Sequence, residues 1–186
     1  LISNPTELKT QCLQVRKADE LPADGATWNF PNGWEGSLTA RIMIRKGGQG
    51  GTLCLNDRMF DPCNDFGEEF AVFRVGIGSD GKMGDKRLTA GQWHDVRLSW
   101  NLGTQTCQLS VDGQPAGSVP LRNESVNGVS YVRFRSAATK PDPEGFLIDR
   151  VSVSIEDPSA PIRSSQELVA HEQRYVQKVV PHWTAE

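Results

Sequence analysis

Seven hard oxygen donors fall within the fourteen residues of NDRMFDPCNDFGEE, positions 56–69: Asn56, Asp57, Asp61, Asn64, Asp65, Glu68 and Glu69. Carboxylate and amide oxygens at this density suit Ca²⁺, which takes six to eight such ligands in flexible geometry. Asp57, Asp61 and Asp65 are therefore the candidate metal ligands, and Ca²⁺ is the candidate cofactor. The run lacks the DxDxDG order of an EF-hand, and a solvated acidic loop that binds no ion is the competing reading.

A second kind of chemistry is offered by Arg41, Arg45, Arg74, Arg97, Arg133 and Arg135, each at an alternate position of an apolar–polar run and opposite its apolar side. If the runs pair, Arg41, Arg74, Arg97 and Arg133 form a basic stripe. The planar guanidinium fork matches a carboxylate, so the stripe reads as a groove for acidic sugars. The alternative is a solvated sheet face balanced by Asp95 and neighbouring acids. Trp28 and Trp34, with Phe30 in ATWNFPNGWEG, are placed in or beside a turn. Aromatic faces on loops can stack on pyranose rings, which makes these two the other candidate substrate-binding pair; a packed loop plug is the alternative. Trp183, in the tail, is the poorer candidate.

No catalytic residues are identified. Glycosidic hydrolysis needs two carboxylates that meet at one bond, whereas Glu68 and Glu69 are adjacent and would point to opposite faces of a strand. No ExDxxE, GxSxG or HExxH occurs, and GIGSDG at 76–81 follows alternating residues without a helix behind it, which makes it a turn. His94, His171 and His182 are the only histidines. His94 alternates with Val96 and Leu98 and reads as a hydrogen-bonded core or rim residue. Cys12, Cys54, Cys63 and Cys107 match no paired CxxC zinc site. Cys54 and Cys63 bracket LNDRMFDP and could staple that loop in an oxidising compartment, while Cys107 shares an apolar face with Leu109 and Val111 and reads as a buried free thiol.

The elements that must position these groups are strands. SLTARIMIR alternates, with Leu38, Ala40, Ile42 and Ile44 on one side and Thr39, Arg41, Met43 and Arg45 on the other. The same period returns in EFAVFRVGI, WHDVRLSW, SYVRFRS and GFLIDRVSVSI. Turn signals separate the runs at PNG (31–33), GGQGG (47–51), SDGKMGD (79–85), NLG (101–103) and DGQ (112–114). This spacing predicts an all-β, two-sheet antiparallel sandwich over residues 1–156. DPSAPIR (157–163) breaks the pattern and opens a C-terminal tail, 157–186. That tail reads as part helical, with Ser164 or Ser165 as N-cap and Leu168, Tyr175 and Val179 on one face, or as an extended segment. In either form it is expected to dock on the sandwich or on a neighbouring domain.

The chain has 186 residues, 37% hydrophobic and 23% charged, enough for one domain with its own core. A net charge of −3 and a pI near 5.7 supply no field to gather phosphate backbones, so nucleic acid is not an expected partner. No apolar run approaches the roughly 20 residues of a membrane span, and a soluble chain is expected. A start at Leu1 reads as a processed product or a piece of a longer polypeptide.

Gly91, Gln92, Trp93, His94, Val96 and Leu98, followed by Cys107, Leu109, Val111, Asp112 and Gly113, form a tryptophan-led strand, a turn, a second strand and a DG turn. This arrangement resembles concanavalin A-like and laminin G-like lectin/glucanase sandwiches, and GFLIDRVSVSI is similar to their final strand. The resemblance covers about residues 10–156. It extends through LQVRKADELPADGATWNFP to lectin-like modules attached to bacterial sialidase-type and other glycan-degrading proteins. It implies a jelly roll acting as a noncatalytic carbohydrate-binding or accessory module, extracytoplasmic or secreted. The implied partners are a glycan, acidic if the arginines bind it, and a catalytic domain of the same or a longer polypeptide. Two other readings stand: a module that buttresses a catalytic domain without binding sugar, and a glycan hydrolase or lyase with an unrecognised site.

Overall fold

The computed structural model describes residues 1–183 apart from 8, 22 and 64, and the side chains at 65, 66 and 178–183 lie outside that description. Thirteen strands follow in order: β1 (Ile2–Ser3), β2 (Gln11–Lys17), β3 (Gly25–Gly33), β4 (Glu35–Ile44), β5 (Gly51–Asn56), β6 (Phe73–Ile77), β7 (Lys82–Met83), β8 (Lys86–Arg87), β9 (His94–Asn101), β10 (Thr106–Val111), β11 (Gln114–Ser118), β12 (Val129–Ser136) and β13 (Asp142–Asp157). A helix, α1 (Ser165–Trp183), ends the described chain. The strands make a seven-stranded sheet in the order β1-β2-β13-β4-β9-β10-β11, a four-stranded sheet β3-β12-β5-β6 and a small hairpin β7-β8. All pairings are antiparallel, so the fold is the expected two-sheet sandwich.

Period-two alternation explains the core. Leu38, Ala40 and Ile42 of β4 and Val96, Leu98 and Trp100 of β9 face inward from the larger sheet, against Leu53, Leu55, Phe73, Val132 and Phe134 of the smaller one. The turn between β10 and β11 holds Asp112 at φ 50° and Gly113 at φ 74°, the left-handed pair that a type I′ hairpin requires.

Two readings need correction. β3 runs as a strand through PNG, where a turn was expected. Pro31 fits because β3 is an edge strand and its register with β12 slips between Val129 and Tyr131, so no ladder hydrogen bond is required of it. Met43 lies on the outer face of β4 yet is buried, because Ile2 and Trp93 close over it with Cys12 and Leu147 in a small second apolar cluster.

The outer face of the four-stranded sheet carries a cover. Residues 57–70 cross the outside of the four-stranded sheet so closely that a Cβ on Gly25 would lie 2.1 Å from the Pro62 carbonyl oxygen. α1 starts at a capping box, in which the Glu167 backbone N–H donates to Ser164 Oγ and the Ser164 backbone N–H to Glu167 Oε2. The helix docks on the 57–70 segment. The ring of Tyr175 lies 5.2 Å from that of Phe70 and 6.4 Å from that of Phe60, and the Arg58 guanidinium sits 4.1 Å over the Tyr175 ring while donating to Glu172. Of the apolar face expected for the tail, Tyr175 packs inward, Leu168 stays exposed, and the Val179 side chain lies outside the described residues.

Candidate functional site

The four arginines expected in one stripe belong to two sheets. On the seven-stranded sheet, Arg41 of β4 pairs with Glu7 at 3.3 Å and Asp149 at 3.1 Å and lies 5.4 Å from the centre of the Trp93 ring. Asp149 also accepts from Asn4, and Trp93 Nε1 donates to Thr6 Oγ1, so this cluster fastens the N-terminal segment to the sheet. Arg97 of β9 is exposed and donates to Ser37 Oγ and Ser99 Oγ.

Arg74 and Arg133 stand on the other sheet, in one row across the strands: Arg133 of β12 opposite Cys54 of β5, and Cys54 opposite Arg74 of β6. Arg135 is in register with Thr52 on the same outer face. Arg133 is only 1% exposed and donates to the Pro62 carbonyl, and Arg135 is 4% exposed. The 57–70 segment ends in a short 3₁₀ turn (Asp65–Glu68) that delivers Glu68 into this set. Glu68 Oε2 accepts from Arg74 Nε at 2.8 Å, its Oε1 accepts from Thr52 Oγ1 at 2.7 Å, and Arg133 Nη1 stands 3.8 Å away.

These residues border a groove of about 510 Å³ lined by Lys17, Thr52, Glu68, Arg74, Arg135 and Thr139. Among the described lining residues three cations stand against one carboxylate, with the hydroxyls of Thr52, Ser136 and Thr139 beside them. Lys17 is held in place by donating to the Leu21 carbonyl. Arg74, whose side chain is 37% exposed, commits Nε to Glu68 and stands at the accessible rim. A ligand carboxylate entering here would meet guanidinium forks that are already oriented, next to hydroxyls that can bond sugar OH groups.

Sequence reasoning isolated Arg74 and Arg133 but did not bring in Lys17, Thr52, Glu68, Arg135 or Thr139 as groove residues. Arg135 was legible, since it sits two positions beyond Arg133 in SYVRFRS. Lys17 and Thr139 carry no such signal, because their place depends on how β2 and the loop after β12 end.

The aromatic pair is also separated. Trp28 lies on edge strand β3, 40% exposed, with its ring 5.6 Å from that of Phe30. Trp34 is 9% exposed and packs in the core, its backbone N–H bonded to the Asp157 carbonyl.

Of the candidate metal ligands, Asp57 Oδ1 accepts from Arg58 Nε and Asp61 Oδ1 accepts from the Cys63 backbone N–H, while the Asp65 side chain lies outside the described residues. Among the described residues no group of three or more His, Cys, Asp or Glu side chains is arranged to hold a metal ion.

Cys54 and Cys63 are not bonded to each other. Burial pushes the Cys54 and Cys107 thiols up to about 12, which leaves both protonated and unreactive at neutral pH. His94 forms a pair with Asp112, Nδ1 to Oδ2 at 2.7 Å, but its Nε2 accepts the Thr89 backbone N–H at 2.9 Å. The nitrogen that would serve a nucleophile is already occupied, so the pair is architectural. Asn123, in the Asn123-Glu124-Ser125 sequon, donates from Nδ2 to the Glu69 and Ala71 carbonyls.

Known structures share this sandwich. A sialidase matches 75% of the chain at a TM-score of 0.54 and 16% identity, and the chain spans about 15% of the length of that sialidase. A human galectin-16 double variant matches 70% of the chain and 94% of its own length at 0.51 and 9% identity. The exoplasmic/lumenal domain of VIP36, in a Ca²⁺- and mannose-bound form, matches 83% of the chain and 88% of its own length at 0.50 and 10% identity. No protein-family model and no curated protein matches the chain. At these identities the likeness is one of fold, the two-sheet antiparallel jelly-roll sandwich that the galectin and VIP36 domains also have.

Proposed function

We propose that this chain is a noncatalytic carbohydrate-binding module that takes the carboxylate of an acidic glycan in the groove over the four-stranded sheet. The observation that carries the reading is the charge balance of that groove, which among the described residues sets Lys17, Arg74 and Arg135 against the carboxylate of Glu68. Arg74 at the rim meets the ligand first, and the exposed Thr139 beside it offers a hydroxyl to the sugar ring. Neighbours that carry sugar-binding names on the same fold support the class. A sialidase in which such a sandwich is a small part of the chain supports an accessory role beside a catalytic domain, in a protein exported to meet extracytoplasmic glycans. No calcium is required by this reading.

A second reading is favoured by one specific feature. α1 leaves Leu168, Val169 and Val176 exposed, at 40%, 55% and 50%. Such a face suits a module that buttresses another domain and binds no sugar.

The test is affinity for uronate- or sialate-bearing oligosaccharides at low and high salt. Arg74→Ala should weaken binding by roughly tenfold to a hundredfold, and added salt should weaken the wild type, since rim charges are screened over about 8 Å at physiological ionic strength. No binding by the wild type leaves the buttress reading. Binding that ignores salt and is lost through Trp28→Ala moves the site to the edge of β3.

A further inference from the structure

The 57–70 segment has a second side. Where it meets α1 lies an open-sided pocket of about 290 Å³, with Asp57, Phe70, Arg122, Glu124, Arg174 and Tyr175 among its lining residues. This is at the lower end of ligand pockets, roughly 300–1,000 Å³, a size for one monosaccharide unit and not for a chain.

The walls are firmly set. Asn123 fastens one side to the Glu69 and Ala71 carbonyls. On the other, Arg58 is clamped between Asp57 and Glu172; burial opposes its charge, but its bonds to these two carboxylates raise its pKa on balance. Arg58 Nη2 also lies 3.4 Å from His171 Nε2. Since a guanidinium only donates, Nε2 accepts and the ring proton sits on Nδ1, which makes His171 a donor on its other side.

The charges left at the mouth are cationic on balance. Arg174 meets Glu124 at 3.7 Å, both well exposed, a pairing worth little in water. Arg122 makes no ion pair or side-chain hydrogen bond among the described residues, and its backbone is anchored by its N–H to the Val72 carbonyl. The pocket therefore combines two exposed arginines against one exposed glutamate, the buried Asp57 carboxylate, and the rings of Phe70 and Tyr175.

We propose that this junction pocket is a second ligand site, separate from the groove beside Arg74, and that it takes the carboxylate of a single uronic acid unit. In this site Arg122 and Arg174 hold the carboxylate, Asp57 accepts from a ring hydroxyl, and the CH face of the sugar rests on Phe70 and Tyr175. Because one wall is helix and the other sandwich, a bound ligand joins α1 to the sandwich. The proposal does not rest on the groove, and it stands or falls independently of it.

The test is an NMR titration of the full chain with glucuronate, with glucose and acetate as controls, following the side-chain signals of His171 and Tyr175. Saturable shifts are expected with glucuronate, weakened at least about tenfold by Arg122→Ala combined with Arg174→Ala and kept by Arg74→Ala. Both replaced arginines are exposed, and an unchanged Tm confirms that the double variant is folded. No saturation in the wild type overturns the site. Loss of the shifts through Arg74→Ala shows that they report the groove alone and also overturns it. Equal affinity for acetate or for glucose removes the uronic acid assignment. If oligosaccharides fail to bind in the groove while the glucuronate shifts persist, the reading of the groove fails and this one remains.

Discussion

The outer faces of the two sheets began with the same sequence signal and reached different ends. On the seven-stranded sheet, Arg41 and Arg97 remain near solvent, one fastening the N-terminal segment and the other bonded to serine hydroxyls. On the four-stranded sheet, Arg133 and Arg135 stand at equivalent outward positions and are almost fully buried, and Pro62 and Gly67 of the covering 57–70 segment lie against Arg133. An arginine opposite an apolar strand face signals only that it avoids the core between the sheets. Whether it is solvated or becomes part of a built site depends on what covers that face.

The largest effect that tests this contrast is expected from Arg133→Ala. Removing the buried guanidinium leaves the Pro62 carbonyl without its donor and takes one cation from beside Glu68, which keeps Arg74 and Thr52, and deleting one partner of a buried charged contact costs up to about 3–5 kcal/mol. Denaturant unfolding reads it directly. A cost as small as that of a surface arginine would mean the cover over the four-stranded sheet is loose.

A smaller loss is expected from Tyr175→Ala, which removes the ring that Phe60, Phe70 and Arg58 share. A loss of roughly 1–3 kcal/mol follows from the aromatic and cation–π contacts with part of the buried area. Amide hydrogen exchange should quicken in residues 57–70 and in α1 while the β9–β10 hairpin stays protected. Uniform loosening of the whole chain would show that the cover is not a separate unit.

On the seven-stranded side, Asp112 closes the hairpin. Burial by itself would raise its carboxyl, but hydrogen bonds from His94 and the Asp95 backbone N–H hold it below the usual carboxylate range. A depressed folded value contributes stability above the unfolded value of about 3.9, and that stability is lost as pH falls through the folded value. The side chain is half exposed, so the gain is screened to under about 1 kcal/mol. The stability difference between wild type and Asp112→Asn should be full near neutrality and vanish in acid. A difference that persists unchanged at low pH would remove the carboxylate from the explanation.

The smallest effect is expected from Arg97→Ala, within about 0.5 kcal/mol as for most surface substitutions. Its neighbour Val96 is wholly buried, and Val96→Asp should unfold the domain by burying an unpaired carboxylate. Melting curves of the two variants side by side check which face of β9 is which.

The β9–β10–β11 meander was legible because its information is local: alternation places Val96, Leu98, Cys107 and Leu109 on one side, and Asp112-Gly113, between β10 and β11, can adopt the left-handed pair. The start of α1 was legible for the same reason, as Ser164 and Glu167 satisfy each other across three residues. β3 was not, because PNG carries the local chemistry of a turn. Only pairing with β12, with the register slip at Pro31, makes it a strand. The candidate site was half legible: Arg74 and Arg133 were singled out, but grouped with Arg41 and Arg97 of the other sheet.

By itself, then, the sequence determined which residues face the core, where the hairpin turns, and that the chain is a β-sandwich, since periodicity and turn chemistry act over a few neighbouring residues. Tertiary structure alone decided that Glu68 meets Arg74 and Thr52, that Lys17 and Arg135 share their groove, and that α1 closes over Arg58 and Phe70. Apart from Glu68 and Arg74, six residues apart, those contacts join residues far apart in the chain. They form only when strand order and the path of one covering segment bring the residues together, and no local pattern encodes either.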